Sequence, residues 1–192
     1  MENNEVIQPV QENKTEVKHN KKFDRRDNRR RVKEISDIES KTIAINRVTK
    51  VVKGGRKMKF AAHVIVGDRK GRVGYGCGKA AETPAAIDKA LKRAKANMIT
   101  VSVAGNTIPH EITGKFGTSK VFMMPAKTGN GIIAGSSVRP IVELAGIKDI
   151  TTKAYGSRNA INCAKATFNA LKKLRTAEEI MAIRNAGKEE NK

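Results

Sequence analysis

Two glycine-rich basic turns, set between apolar runs, constrain the fold of this chain more than any other feature. Residues 51–79 read VVKGGRKMKFAAHVIVGDRKGRVGYGCGK. The pair Gly54-Gly55 and the turn from Gly67 to Gly71 separate runs rich in Val, Ile and Ala, and this pattern predicts a three-stranded antiparallel meander. Glycine turns flanked by Lys and Arg can present backbone amides and cations to phosphate. We therefore expect this region to bind a polyanion.

The charge balance supports the same expectation. The 192 residues include 39 Lys and Arg against 19 Asp and Glu, a formal net charge of +20. Residues 1–40 carry ten basic and nine acidic side chains, so +19 of that charge belongs to residues 41–192. A folded region this basic repels itself unless a polyanion compensates, and a nucleic acid is the usual one. We expect RNA.

Several other classes of protein are disfavoured. Cys77 and Cys163 stand far apart without a CxxC partner, which argues against a disulfide framework or a zinc knuckle and favours the reducing cytoplasm. The chain begins MENNEV and has no apolar run near the roughly 20 residues that span a bilayer, so we predict no signal peptide and no membrane segment. The scattered histidines and unpaired carboxylates argue against catalysis, and His63 is predicted to be a packed or sheet-face residue. We expect no catalytic residue, metal, cofactor or small-molecule substrate.

Composition divides the chain into four parts. Residues 1–36 have few apolar side chains, which predicts a disordered extension with a basic patch at 21–33. Residues 37–103 hold the meander and then a helix, with Thr83 as its N-cap and Pro84 at its first position. Residues 104–178 predict strands at about 108–116 and 121–124, a helix at 136–144, a strand near 150–155 and a helix at 159–174. Residues 179–192 are predicted to be a tail, and the order of elements is typical of the α+β class.

Two glycine motifs resemble nucleotide loops only in part. The segment 71–79 lacks the first glycine of a phosphate-binding loop, since Val73 stands there, and Ala80 replaces the Ser or Thr after Lys79. We expect its alternating glycines to allow close approach of a helix or backbone. Residues 129–134 match GxGxxA, but no acidic residue ends the following strand, so a dinucleotide is not expected.

Ordered blocks across about residues 38–175 resemble the bacterial small-subunit ribosomal protein five family. The blocks are INRV (45–48), VKGGR (52–56), VGD (66–68), GRVG (71–74), GKA (78–80), PAAI (84–87), 129–135 and KAYGS (153–157). The resemblance implies an N-terminal double-stranded-RNA-binding-like domain, a three-stranded antiparallel sheet plus a helix. A C-terminal β-α-β-α two-layer domain follows it. The extension of 36 residues departs from the shorter family members.

The resemblance also implies a function. It implies a structural constituent of the small ribosomal subunit in the cytoplasm, which binds rRNA and small-subunit ribosomal proteins four and eight. It would lie near the path by which messenger RNA enters, and would support decoding accuracy and head–body geometry. The loop from Lys53 to Arg56 matches the family loop at which spectinomycin resistance arises. Gly131 and Arg139 match positions at the interface with protein four, and Arg47 matches a cation near the messenger path.

The expected RNA contacts combine the basic turns with later cations. Tyr155 could stack on a base and Arg158 could reach phosphate, while Ser157 or Asn159 could cap the last helix. The full set is Arg47, Lys53, Gly54, Gly55, Arg56, Lys57, Lys59, Arg69, Lys70, Arg72, Lys79, Lys120, Lys127, Lys153, Tyr155 and Arg158.

Two alternatives stay open at this point. A free RNA chaperone or regulator would bind duplexes transiently and would be abundant away from ribosomes. An enzyme with the kinase-like fold would bind nucleotide and would need the complete phosphate loop that residues 71–79 lack.

Overall fold

The computed structural model describes residues 38–189, with side-chain surroundings up to residue 185. The expected disordered extension, residues 1–36, lies outside the described residues. In chain order the elements are β1 (Glu39–Val52), β2 (Gly55–Gly67), β3 (Arg72–Ala80), α1 (Thr83–Ala96), β4 (Met98–Thr100), β5 (Ile112–Phe116), β6 (Ser119–Pro125), β7 (Ile132–Ile133), α2 (Arg139–Ala145), β8 (Ile150–Gly156), α3 (Ala160–Leu171) and α4 (Ala177–Glu189). The α+β class predicted from the sequence is confirmed.

The first sheet has four antiparallel strands in the order β1-β2-β3-β4. The sequence predicted three, because β4 is only three residues long and directly follows α1, so it shows no alternation of its own. β4 pairs with β3 only at Arg72, Val73 and Gly74. The rest of β3 is therefore an edge on that side.

Helix α1 packs on one face of this sheet at very short range. Gly74, Gly76 and Gly78 of β3 face the helix backbone, and a Cβ atom on any of them would collide with a carbonyl oxygen of α1. On the side of the helix that faces these glycines, small residues recur every four positions: Ala86, Ala90 and Ala94 are all buried. The expected role of the alternating glycines is thus confirmed.

The start of α1 differs from the prediction. Thr83 is the first helical residue and Glu82 is the N-cap, without a side-chain hydrogen bond, so the predicted Thr83 cap is wrong. The helix gains its rigid start from Pro84 in the first turn, where a missing N–H costs nothing. The cap of α3 is as predicted for Asn159, whose Oδ1 accepts a hydrogen bond from the Ile161 N–H at 3.0 Å.

The second sheet has the order β5-β6-β8-β7, and only β7 runs parallel to its neighbour. Helix α3 covers one face, where Gly114 of β5 lies against the Ala166 carbonyl. β7 was not predicted, because two residues are too few to form a periodic pattern. The other face of β5, β6 and β8 carries mainly exposed side chains.

The two sheets share a core and form one compact unit from residue 38 onward. Ile65 and Val73 of the first sheet belong to the same buried cluster as Val121 and Ile141 of the second part. The turn between β2 and β3 also closes the end of α2. There the N–H groups of Arg69 and Gly71 donate to the carbonyls of Leu144 and Ala145, each at 3.0 Å. These bonds satisfy carbonyls that a helix end otherwise leaves unpaired.

Helix α4 occupies residues that the sequence assigned partly to a tail. Thr176 and Glu179 form a capping box at its start: the Glu179 N–H donates to Thr176 Oγ1 at 3.2 Å, and the Thr176 N–H donates to Glu179 Oε2 at 3.1 Å. The spacing T-x-x-E was the available signal for this helix. None of the four helices described here is both long and apolar enough to span a bilayer.

Candidate nucleic-acid interface

The β1–β2 hairpin extends well beyond the rest of the first sheet. Phe60 of β2 pairs with Ala80, the last residue of β3, so residues 48–52 and 55–59 pair only with each other. At about 3.3 Å per residue this two-stranded ribbon reaches roughly 16 Å past the sheet. We call residues 47–59 the hairpin arm. Beyond Phe60 towards the tip, β2 pairs with β1 but no longer with β3.

The tip of the arm requires glycine. Val52 pairs with Gly55, which leaves Lys53 and Gly54 as the two loop residues. Gly54 has a φ of 85°, a conformation that side chains rarely adopt. A Cβ atom there would meet nothing within 4 Å, so the backbone at the tip is open to a ligand.

Cations occupy both faces of the arm, since paired residues in an antiparallel ribbon share a face. Lys50 pairs with Lys57 on one face, and Val51 pairs with Arg56 on the other. Lys50 was missing from the predicted contacts. The predicted turn, Gly54-Gly55, lies one residue later than the observed turn, Lys53-Gly54, and would have placed Lys50 opposite Lys59 instead of Lys57. Within the described part of the chain the ion pairs all lie elsewhere, so no carboxylate neutralises the arm.

Apolar side chains on the arm are also exposed. Val51 is 76% exposed and Met58 is 46% exposed. Exposed apolar side chains do not stabilise an isolated protein, and a two-stranded ribbon is only weakly stable by itself. The arm therefore has the composition of a binding element, with cations around exposed apolar contacts.

The second basic turn lies at the opposite end of β2, roughly 40 Å from the tip of the arm at about 3.3 Å per residue. Its cationic side chains are exposed, and two of them form ion pairs with carboxylates of the same chain. Arg69 pairs with Glu39 at 2.7 Å, and Arg72 lies 3.8 Å from Asp68. Lys70 is exposed in the same turn. The two basic turns of residues 51–79 therefore do not form one surface.

Lys79 lies on the side of the first sheet that faces away from α1. It shares a row with Ala61 and Asn46, next to the row of His63 and Cys77. His63 is buried as predicted, and its Nδ1 hydrogen bonds with the Tyr75 hydroxyl at 2.7 Å. Burial, with Lys165 and Lys79 nearby, lowers the pKa of His63, and burial raises the pKa of Tyr75 to about 12.

A second surface is formed by the uncovered face of the second sheet. Lys120 pairs with both Lys115 and Tyr155, which places the three in one row across β5, β6 and β8. Phe122 pairs with Lys153 in the next row of the same face. We call this surface, from Lys115 to Tyr155, the open sheet face. Lys115 and Phe122 were missing from the predicted contacts, because single strands do not reveal which residues align across a sheet.

The other predicted cations in this part are not all brought together. Arg158 is exposed two residues after β8, at the end of that strand where Tyr155 and Lys120 lie. Lys127 is exposed beyond the opposite end of β6, and its carbonyl accepts the Asn130 N–H at 3.2 Å. Lys127 therefore belongs to the glycine loop instead of the open sheet face.

The backbone N–H groups of the glycine loop at 129–135 already donate hydrogen bonds to a carboxyl group of the same chain. Asp149 is buried, and its Oδ1 accepts hydrogen bonds from the backbone N–H groups of Gly129 at 3.1 Å and Gly131 at 2.9 Å. A phosphate would need those same donors. This contact gives a physical reason why the GxGxxA match does not make a dinucleotide site.

A cleft of about 400 Å³ lies next to this loop. Arg139, Ile132 and Lys148 line it, and Ile132 directly follows Gly131. Arg139 Nε donates to Glu143 Oε1 at 2.9 Å, and Lys41 of β1 pairs with the other carboxylate oxygen. The hydrogen bond from Lys41, together with that from Arg139, lowers the pKa of Glu143. Of the two predicted protein-interface residues, Arg139 thus lines the charged cleft, and Gly131 is the chain neighbour of a lining residue.

Two family models match the chain in sequence order. The model described as "Ribosomal protein S5, N-terminal domain" matches residues 38–102, and "Ribosomal protein S5, C-terminal domain" matches residues 114–184. In the described residues no three His, Cys, Asp or Glu side chains gather to hold a metal ion. The two matches together cover well over half of the chain and follow the two sheets. The chain therefore belongs to the ribosomal protein S5 family, whose members are non-enzymatic structural proteins of the small ribosomal subunit that bind rRNA.

Proposed function

We propose that this S5-family protein holds small-subunit rRNA mainly through the hairpin arm, beside the path by which messenger RNA enters the ribosome. The observation that carries the proposal is a two-stranded ribbon, extended past its sheet, whose cations have no carboxylate partner in the described residues. Those cations are Arg47, Lys50, Lys53, Arg56, Lys57 and Lys59.

The physical argument for the arm rests on counterion release. Each phosphate that a Lys or Arg neutralises releases condensed counterions, which favours binding most at low salt. The open backbone at Gly54 allows a phosphate or sugar to approach without a side chain in the way. Because the cations lie on both faces, the arm suits insertion between RNA segments better than attachment to one flat surface.

The open sheet face is the second part of the proposal. Its three lysines and its two aromatic rings, Phe122 and Tyr155, alternate across paired strands. Tyr155 is 55% exposed, so its ring is free to stack on an unpaired base, and the lysines are placed to meet the phosphates that flank it. RNA-binding sheets of other folds use the same combination of aromatic and basic side chains.

The remaining predicted contacts belong to this proposal as auxiliary ones. Lys79 extends the basic surface at the base of the arm, and Arg158 extends the open sheet face. Arg69, Lys70 and Arg72 form a separate basic turn, in which two side chains would have to exchange an internal carboxylate for phosphate. Lys127 would act only through the glycine loop.

We assign neighbouring ribosomal proteins to the other features. Arg139 lines the cleft of about 400 Å³, and Gly131 directly precedes another lining residue, Ile132. We propose that small-subunit protein four enters there and that protein eight binds elsewhere on the chain. An interface of this kind would affect decoding accuracy through the strength of the contact between the two proteins. The arm would in turn support head–body geometry, in a cytoplasmic particle.

The experiment that tests the assignment is fractionation of a lysate on sucrose gradients at moderate and high salt, with the protein followed by immunoblot. We expect it to co-migrate with small subunits and whole ribosomes at both salt concentrations. A peak at the top of the gradient would instead favour a free RNA chaperone or regulator. A variant with the arm cations replaced by Gln provides the comparison, since it should leave the particles at lower salt.

A further inference from the structure

A small aromatic cleft opens between the first sheet and α3, on the side of the second sheet opposite to the open sheet face. Its volume is about 290 Å³. Three elements supply the rings: β3 contributes Tyr75, the end of β5 contributes Phe116, and α3 contributes Phe168. The complete lining is Tyr75, Asn97, Phe116, Lys165, Phe168 and Asn169. We call it the aromatic cleft.

The rings lie close to one another and to polar neighbours. The Tyr75 and Phe168 ring centroids are 5.9 Å apart with the planes at 50°. The Tyr75 hydroxyl is engaged by His63, which leaves the ring as the part of this residue that faces the cleft. Phe116 is 37% exposed, and Lys165 Nζ lies 4.6 Å from its ring centroid. The cleft thus offers apolar faces with a cation at the same place.

Polar groups complete the lining. Asn169 Nδ2 donates to the Lys115 carbonyl at 3.0 Å, so its Oδ1 is the atom left to accept a bond from a ligand. Asn97 ends α1 and is exposed at the rim. Among the residues that the structure describes, no carboxylate lines the cleft, and its one charged residue is a lysine. Flat rings, amide groups and a cation match the faces, edges and phosphate of a nucleotide.

We propose that the aromatic cleft binds one unstacked rRNA base, which stacks on Phe116 or Phe168 while Lys165 meets its phosphate. The inference rests on the rRNA binding proposed above and adds a contact point separate from the arm and the open sheet face. The volume lies at the lower limit of the ~300–1,000 Å³ range of small-ligand pockets, which suits a single ring system. An aliphatic protein side chain would fill the same space but would offer no donor to Asn169 Oδ1 and no negative charge to Lys165.

The first test measures rRNA binding by the full-length protein over a range of salt concentrations. For Phe116→Leu we expect the Kd for small-subunit rRNA to rise about tenfold, because a leucine cannot stack on a base. The slope of log Kd against log salt should not change, because no phosphate contact is removed. Phe116→Tyr should restore binding to within about twofold. Phe60→Leu, which removes a partly buried ring that packs against the core cluster beside α1, should leave the Kd unchanged and serves as the control.

The second test is ultraviolet cross-linking in assembled small subunits, with peptides mapped by mass spectrometry. We expect a nucleotide adduct on a peptide that contains Phe116, Phe168 or Tyr75. Adducts on arm peptides but none in the cleft, with an unchanged Kd for Phe116→Leu, would overturn the inference and leave the proposed function intact. A cleft peptide cross-linked to another protein would also overturn it, in favour of a protein side chain. Failure of the unmodified protein to bind rRNA would overturn both.

Discussion

Gly76 of β3 lies directly beneath Ala90 of α1, so close that a Cβ atom on the glycine would collide with the Ala90 carbonyl oxygen. The same Cβ atom would lie 2.5 Å from the backbone nitrogen of Ala94. Both contacts are with backbone, which cannot turn away as a flexible side chain could. The helix can rest on the sheet at this distance only because neither element projects a large side chain there.

We therefore expect Gly76→Ala to destabilise the protein by about 1–3 kcal/mol or more, since overpacking forces α1 away from the sheet. The measurement is urea unfolding followed by circular dichroism. Gly135→Ala is the matched control, because a Cβ atom at Gly135 would meet nothing within 4 Å. Its unfolding free energy should stay within about 0.5 kcal/mol of the unmodified protein. Equal effects of the two substitutions would contradict the packing argument.

Neutralising the tip of the hairpin arm should weaken rRNA binding in a salt-dependent way. We expect Lys53→Gln, Arg56→Gln and Lys57→Gln together to reduce the salt slope by about 2–3, at roughly 0.7–0.9 for each phosphate that the arm no longer neutralises. The measurement is the Kd for small-subunit rRNA at several salt concentrations.

A control for that variant carries the same change of charge elsewhere. Three exposed lysines on α1 are replaced by Gln, at Lys89, Lys92 and Lys95. Because these side chains are outside the proposed contacts, their replacement should change the slope by less than about 1. If the slope fell equally in both variants, only the total charge would matter, and the arm would lose its assigned role.

Replacing Arg139 should affect decoding accuracy more than RNA affinity. Its side chain borders the charged cleft and bonds with Glu143, so Arg139→Gln should alter misreading in a reporter assay while the Kd for rRNA stays within about twofold. Lys41→Gln removes another partner of Glu143, but Lys41 itself does not line the cleft, so this variant should leave misreading unchanged. Normal error rates with abolished rRNA binding in Arg139→Gln would reassign this residue to the RNA.

Stability should depend on pH through His63. Its pKa in the folded protein is below the ordinary value of 6.5, because burial and two nearby lysines disfavour the charged ring. The unfolded chain therefore binds the proton more readily, and the contribution of His63 is complete above about pH 6.5 and is lost as pH falls through the lower, folded pKa. We expect His63→Gln to flatten the acid side of the stability curve, measured by urea unfolding between pH 5 and 8 as rough limits. If the curves of unfolding free energy against pH were parallel for the two proteins, the pH dependence would not come from His63.

Local pattern was enough to predict the basic hairpin and the glycine packing. The glycine pair Gly54-Gly55 and the alternation around it predict a hairpin from neighbouring residues alone, although the observed two-residue turn lies one residue earlier, at Lys53-Gly54. The spacing of Gly74, Gly76 and Gly78 likewise implied a flat face before any helix was placed on it. The short strands β4 and β7 could not be found in this way, because each is stabilised by its sheet partner and has no period of its own.

Neighbouring residues were enough to identify a basic α+β protein, its basic hairpin and its family, because turns, alternation and charge are local properties of the chain. Tertiary structure was needed to align Lys115 with Lys120 and Tyr155 across three strands. It alone also brought Phe116 and Phe168 to Tyr75 in one cleft. The physical reason is that strand register and helix packing join residues far apart in the chain, and the core that fixes them belongs to no single segment.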